Sequence, residues 1–509
     1  MKAFLADFVE GSDYKKILML VLLSVLVKAV IIPHVMVINP DGVRYANSAH
    51  HLLQGNFREA FGHEKMLFYS LTLGVFQLVI KDWFWAGKIL SSVFLTLTLI
   101  PLYYLTRELF GRNAAFWSGL VFILLPSANS IAAEVVKDAP FLFFILTALF
   151  LGVKALQNPR PLYFLLTFCS ASAATLFRLE GIVFILAYLP AVVVVLAVSD
   201  ERRKYLRGLA VFLAIPSLAI ILSAVLFLTG FFPSEALQIA WKPFARHYFS
   251  FDFLNNYHQI YDYLKSVEGR FRGGEWGQDF FEIARRNMAW IYLWGMFLKF
   301  FKEIFPIFLI PLALGLACRD RYRGGLIVLL WLSFSYLAMN YYFIISRNFI
   351  SGRYLMVAVL FLLPVIGFGL ERARIWTNNL KYSKIALLTL FFLFVFYPAS
   401  KSFSDSIENK KEIRECALWL QNNKTLLNKK IITTEERVLF HAGMLREKYH
   451  NFTINNKENL EKAAVENQCD FIVLSTSEND ILKTGMTNYH LVKEFNGKKI
   501  SVLVFGKNV

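Results

Sequence analysis

Between residues 15 and 400 the chain is a succession of apolar runs, many of them nearly as long as a bilayer is thick. Phe212–Leu228, Leu326–Ile345 and Tyr354–Leu370 approach the roughly 20 residues a helix needs to cross the hydrocarbon. In lipid every backbone N–H and C=O must find its partner within the segment. Runs of this composition therefore fold as helices, and the chain reads as a polytopic α-helical membrane protein. Composition agrees, since 56% of the 509 residues are apolar, 50 are Phe and only 18% are charged, against about 25% in soluble domains. Beyond about residue 400 the text returns to soluble composition. We divide the chain into a transmembrane domain, 1–400, and a C-terminal domain, 401–509.

Lys15 and Lys16 precede Ile17–Ile38, which is long enough to span and lacks a small-residue cleavage site, so it reads as a retained span. The net charge of +17 sits in short loops between apolar runs: Arg107 with Arg112, Lys154 with Arg160, Arg202 to Arg207, Arg319 to Arg323, and Arg372 to Lys384. Such loops face the cytoplasm, so the basic balance reports orientation and not nucleic-acid binding. About eleven spans follow: 17–38, 84–106, 114–130, 138–156, 162–177, 180–198, 209–230, 303–318, 325–346, 353–371 and 385–399. A cytoplasmic N-terminus puts every basic loop inside, provided that Met66–Ile80, too short to span comfortably, does not cross. The loop from Asn39 to about Lys65, the aromatic-rich stretch Gly230–Lys302 and the tail then lie outside an inner or plasma membrane.

In the tail, Ile407–Asn422 and Glu458–Glu466 carry helical patterns, and Ile431–Thr434 and Phe471–Ser475 read as strands. Leu491–Phe495 and Ile500–Phe505 flank Asn496-Gly497, a hairpin signal because both residues tolerate positive φ. A small α/β soluble domain is expected.

Ionisable groups in or beside spans are costly and tend to be functional. Asp41 follows the first span, and Lys65 ends the first outer loop. Glu134 and Asp138 follow the third span, where a continuing helix would place both carboxylates on one face. Arg178 and Glu180 interrupt apolar text, and Arg347 and Arg353 flank the outer start of the tenth span. In this topology all of them gather on one side. A carboxylate there can act as a general base toward a hydroxyl, and guanidinium or ammonium groups can neutralise a phosphate leaving group.

Each residue also has a plainer reading. Asp41 can be a turn residue, Glu134 and Asp138 helix caps, Arg178 with Glu180 a structural ion pair, and Arg353 and Lys65 headgroup anchors. His50, His51 and His63, like Cys169, Cys318, Cys416 and Cys469, form no ligand spacing, so no metal site is expected. Cys416 and Cys469 share the tail and can pair in an oxidising compartment.

Five motifs in order resemble the GT-C class of glycosyltransferases, in particular the bacterial branch related to protein O-mannosyltransferases and the lipid A aminoarabinose transferase. They are Asp41-Gly-Val-Arg-Tyr-Ala-Asn-Ser-Ala-His-His-Leu-Leu-Gln-Gly55, Leu105-Thr-Arg-Glu-Leu-Phe-Gly-Arg-Asn-Ala-Ala, Asp138-Ala-Pro-Phe-Leu-Phe-Phe, Arg178-Leu-Glu-Gly181 and Ser351-Gly-Arg-Tyr-Leu. The likeness covers roughly residues 15–400; the tail matches no known pattern. It implies an inverting transfer from a polyprenyl-phosphate sugar donor to a lipid, glycan or protein acceptor, with Asp41 as base and Lys65, Glu134, Asp138, Arg178, Glu180 and Arg353 binding substrate. Many relatives carry a second acid after the first, where this chain has Gly42, and a Pro-Pro after the lysine, where it has Met66-Leu67. No cofactor is expected; the family pattern leaves a divalent cation open. The rival readings are a transporter or lipid flippase, for which repeated halves with broken helices at the midplane would be expected, and a non-catalytic scaffold whose tail binds partners.

Overall fold

A computed structural model describes residues 12–214, 254–270, 275–317, 323–378, 382–406, 410–423, 426, 429–444, 449–451, 457–476, 486–497 and 500–508. The expected span at 209–230 beyond residue 214, the Gly230–Lys302 stretch up to residue 253 and Cys318 lie outside the described residues. Within them, seven helices are long and apolar enough to cross a membrane: Asp13–His34, Trp83–Phe110, Asp138–Gln157, Gly181–Val198, Gly324–Arg347, Gly352–Asn378 and Lys384–Ser404. The expected spans at 162–177 and 303–318 are the shorter apolar helices Pro161–Phe177 and Pro306–Leu316. Leu67–Ile80 is a helix of 14 residues, about 21 Å long at 1.5 Å per residue and so shorter than the ~30 Å hydrocarbon core. The chain is a multi-pass integral membrane protein.

Where one span was expected at 114–130, Arg112–Leu124 and Pro126–Ala133 meet at a bend of 55°. Pro126 explains the break. It has no N–H, and it holds Leu125 extended (φ −67°, ψ 119°). The carbonyls so freed find side-chain donors: Asn129 Nδ2 bonds Ile123 O (3.0 Å) and the Ser402 hydroxyl bonds Leu124 O (2.9 Å). Substitution of this kind is what lets a broken helix persist at membrane depth.

Two compact units emerge. The first comprises Met1–Val27, Ser92–Ile131 and Lys137–Ser402. Its central helix is Gly352–Asn378, with an 89% buried apolar window where that of Gly181–Val198 is 28% buried and presents side chains outward. Ser118 and Ser333 hydroxyls bond Leu363 O (2.9 Å) and Ala358 O (3.1 Å) on this central helix, polar contacts suited to helices that gain little from hydrophobic burial in lipid.

The second unit comprises Lys28–Ser91, Ala132–Val136 and Phe403–Val509. Its sheet has five strands, β1 (Ile431–Thr433), β2 (Tyr449–Asn451), β3 (Phe471–Thr476), β4 (Tyr489–Asn496) and β5 (Ser501–Lys507), in the order β2-β1-β3-β5-β4. The first three are parallel, and β5 runs antiparallel to both β3 and β4. The β4–β5 hairpin closes with Asn496 opposite Ser501, leaving a four-residue loop from Gly497 to Ile500. Successive side chains on a strand point to opposite faces, and the core splits accordingly. Ile431, Val473, Val502 and Val504 pack on one face with the helices Lys411–Asn422 and Glu436–His441. Ile432, Ile472, Leu474, Leu503 and Phe505 pack on the other with Lys457–Glu466. Cys416 belongs to the first core and Cys469 to the second, and both are free thiols, so they do not form the disulfide that their shared domain allowed.

Candidate functional site

In the first unit, Asp138, Arg178, Glu180 and Arg353 converge. Asp138 opens the Asp138–Gln157 helix, but its carboxylate does not cap it. It accepts instead from Arg178 Nη1, while Arg178 Nη2 reaches Glu180 Oε1 at 2.6 Å. Arg178 is 5% exposed and lies over the Tyr354 ring, with its guanidinium carbon 4.4 Å from the centroid. A planar, weakly hydrated guanidinium is the cation best suited to such a buried fork. Arg353 Nη1 stands 3.9 Å from Asp138 and its side chain is 30% exposed, against 5% for Asp138. The cluster thus has a buried pair at its base and a more accessible cation at its rim.

The sequence makes this geometry locally. Arg178 and Glu180 occupy the turn between Pro161–Phe177 and Gly181–Val198. The turn closes on Gly181, where a Cβ would come within 2.5 Å of Thr175 Oγ1 and 2.6 Å of Thr175 N; only glycine fits. Tyr336 donates to Glu180 O (3.0 Å), fixing the turn from another span. Tyr354, the platform under Arg178, lies next to Arg353 in the Arg-Tyr motif, and its own role was not legible from sequence.

In the second unit Asp41 sits in the first turn of the Pro40–Leu53 helix and pairs with Arg44. Pro40 at the first helical position needs no N–H partner. Asn39 holds the helix start in place: its side chain accepts from Val135 N (2.9 Å) and donates to Val135 O (3.2 Å). Ser91 bonds the neighbouring Glu134 O at 2.8 Å. Segment 134–136 is thereby held out of the helix, with Glu134 in a bend, and the preceding helix ends at Ala133. Glu134 and Asp138 therefore do not share a helix face, contrary to the spacing argument. Glu134 belongs to the second unit and Asp138 to the first.

Gly42 has a steric reason. A Cβ there would lie 2.8 Å from both Val135 Cβ and Ile38 Cγ1. Lys65 is exposed in the bend between Phe57–His63 and Leu67–Ile80. The neighbouring Glu64 accepts from Met66 N at 3.1 Å and faces Arg44 electrostatically. Among the described residues no three His, Cys, Asp or Glu side chains converge as a metal site.

Two residues of this unit escaped the sequence reading. Lys88, fully buried, donates to Ile32 O (3.0 Å) and to Val35 O; a lone lysine inside an apolar run was the signal for it. His441, in the C-terminal domain, accepts from Ile38 N at 3.0 Å, and nothing in its sequence context announces that.

Comparison with solved structures decides the fold. ArnT from Cupriavidus metallidurans bound to undecaprenyl phosphate superposes with a TM-score of 0.59 at 13% identity, covering 96% of this chain and 97% of that one. The fold is that of a GT-C glycosyltransferase. The oligosaccharyltransferase of Archaeoglobus fulgidus, solved in complex with Zn and sulfate, gives a TM-score of 0.55 at 12% identity over 90% of this chain and 68% of its own. The archaeal oligosaccharyltransferase AglB from Archaeoglobus fulgidus, in complex with an inhibitory peptide and a dolichol-phosphate, gives a TM-score of 0.54 at 12% identity over 91% of this chain and 69% of that one. In sequence, residues 65–227 match the family model described as dolichyl-phosphate-mannose-protein mannosyltransferase. No curated protein matches the sequence. The GT-C likeness reaches through the C-terminal domain, which no motif had indicated.

Proposed function

We propose that this GT-C protein transfers a sugar from a polyprenyl-phosphate donor to a hydroxyl of a lipid, glycan or protein acceptor on the non-cytoplasmic side of the membrane. The observation that carries the reading is Asp41: a carboxylate on the first turn of a helix braced by Asn39 and Val135, directly after the first span of a GT-C fold. Fold alone does not assign chemistry; the placement of this acid is what adds to it.

In this mechanism Asp41 takes the proton of the acceptor hydroxyl as its oxygen attacks the anomeric carbon. The new C–O bond forms on the face opposite the phosphate, and the bond from carbon to phosphate oxygen breaks, releasing the polyprenyl phosphate with inversion. Lys65, an exposed cation of the same unit as Asp41, offsets the charge that develops on the phosphate. Arg178, enclosed by Asp138 and Glu180, fixes both carboxylates within the first unit. The donor set does not fit a resident divalent ion, because Asp41 meets the Arg44 guanidinium and Gly42 supplies no second acid, so no step is assigned to one. The test is transfer by purified protein, with radiolabelled polyprenyl-phosphate sugars and membrane extract as acceptor source. Asp41→Asn should reduce transfer by at least about 10²-fold while inserting normally; near-normal transfer by that variant refutes Asp41 as base.

A further inference from the structure

We propose that the C-terminal domain is a brace that positions Asp41, with His441 and Lys88 as the positioning residues; the proposal rests on Asp41 acting as described above. The link between them is the connector from Ile32 to Asn39. It begins as a 3-10 turn, Ile32–His34, and continues without regular structure to the helix that starts at Pro40. Such a segment has no ladder of its own, so its backbone groups must be satisfied from outside.

The structure shows where several of them go. The Lys88 ammonium takes the carbonyls of Ile32 and Val35. His441 takes the N–H of Ile38. The Val37 side chain is 6% exposed and belongs to the core that Ile413, Leu439 and Val504 form on the C-terminal sheet. The two anchors share a support: Phe84 meets the His441 ring edge-on at 5.2 Å and carries the Lys88 ammonium 4.0 Å from its centroid. Asp41 follows Ile38 by three residues, so the brace fixes the backbone just before the acid. A displacement of about 1 Å in a reacting group costs on the order of 10²-fold in rate.

The hydrogen bond also fixes the state of the histidine. Ile38 N–H donates, so His441 Nε2 must be an unprotonated acceptor. Burial first, and then Arg414, Lys88 and Arg437 near the ring, outweigh Asp82 and hold the imidazole neutral.

Full-length protein tests this with His441→Leu, which keeps the bulk and removes the acceptor, His441→Gln, which restores an acceptor oxygen, and Lys88→Met, which leaves the C-terminal domain untouched. Hydrogen exchange at Ile38 and the adjoining connector is followed beside transfer kinetics. His441→Leu and Lys88→Met should each speed connector exchange about tenfold or more. Each should lower kcat by about 10- to 100-fold with donor KM within about twofold, and His441→Gln should recover most of both. Unchanged connector exchange in both variants overturns the proposal, as does a glutamine variant no better than leucine. Should wild-type protein transfer no sugar from any polyprenyl-phosphate donor, the functional reading fails, and the exchange arm still judges the brace.

Discussion

Replacing Arg178 by Met removes a buried cation and leaves two carboxylates facing each other across the vacated space. Asp138, 4% exposed, loses the guanidinium that neutralises it, and Glu180 loses a 2.6 Å charge-assisted bond. Breaking a buried pair from one side costs about 3–5 kcal/mol. Arg353, 3.9 Å from Asp138 and 30% exposed, supplies a second cation near it and makes the lower end the better figure. About 3 kcal/mol corresponds to a fall in Tm of roughly 3–5 °C for a unit of more than 300 residues. The assay is thermal unfolding of purified protein in one detergent at fixed lipid content. The double variant Arg178→Met with Asp138→Asn also removes the charge of the most enclosed carboxylate, leaving Glu180, and should recover part of the lost stability, because neutral replacement of a buried pair is close to isoenergetic. A single variant that melts within a degree or two of wild type, or a double variant less stable than the single, would refute the view that this cluster is a mutually neutralised buried network.

Gly42→Ala gains about 1 kcal/mol of helix propensity but meets Val135 and Ile38 at 2.8 Å, an overpacking cost of about 1–3 kcal/mol. It should be net destabilising, lower transfer by shifting Asp41, and be partly rescued by Val135→Gly; measured coupling near zero between the two sites in a double-mutant cycle would contradict the contact. His441 is pushed down from its ordinary 6.5 to about 4, first by burial and then by Arg414. A depressed histidine stabilises the fold fully above 6.5, and that contribution is lost as pH falls toward 4, up to roughly 3 kcal/mol before discount for partial exposure. Melting of wild type should accordingly fall more steeply than that of His441→Gln across this window, and parallel curves would exclude the neutral buried ring. The Cys416 thiol is pushed up to about 12 by burial; it should resist thiol reagents at pH 8 in folded protein and react on unfolding, as should Cys469, buried in the other core.

The sequence by itself determined the membrane class, most of the spans and the three long strands of the tail. All of these rest on local periodicity and length, and lipid leaves an apolar run of about 20 residues one way to satisfy its backbone. It also exposed Arg178 with Glu180, whose two-residue spacing at a helix end is itself nearly a contact. Tertiary structure alone decided the partners. Asp138 meets Arg178 across 40 positions, and Ile38 meets His441 across 403; no pattern of spacing encodes such pairs. The helix that would have joined Glu134 to Asp138 was lost for the same reason. Side-chain bonds from Asn39 and Ser91, distant in sequence, compete with the local i→i+4 ladder and win at Glu134 and Val135, ending the helix where propensity alone would have continued the turn.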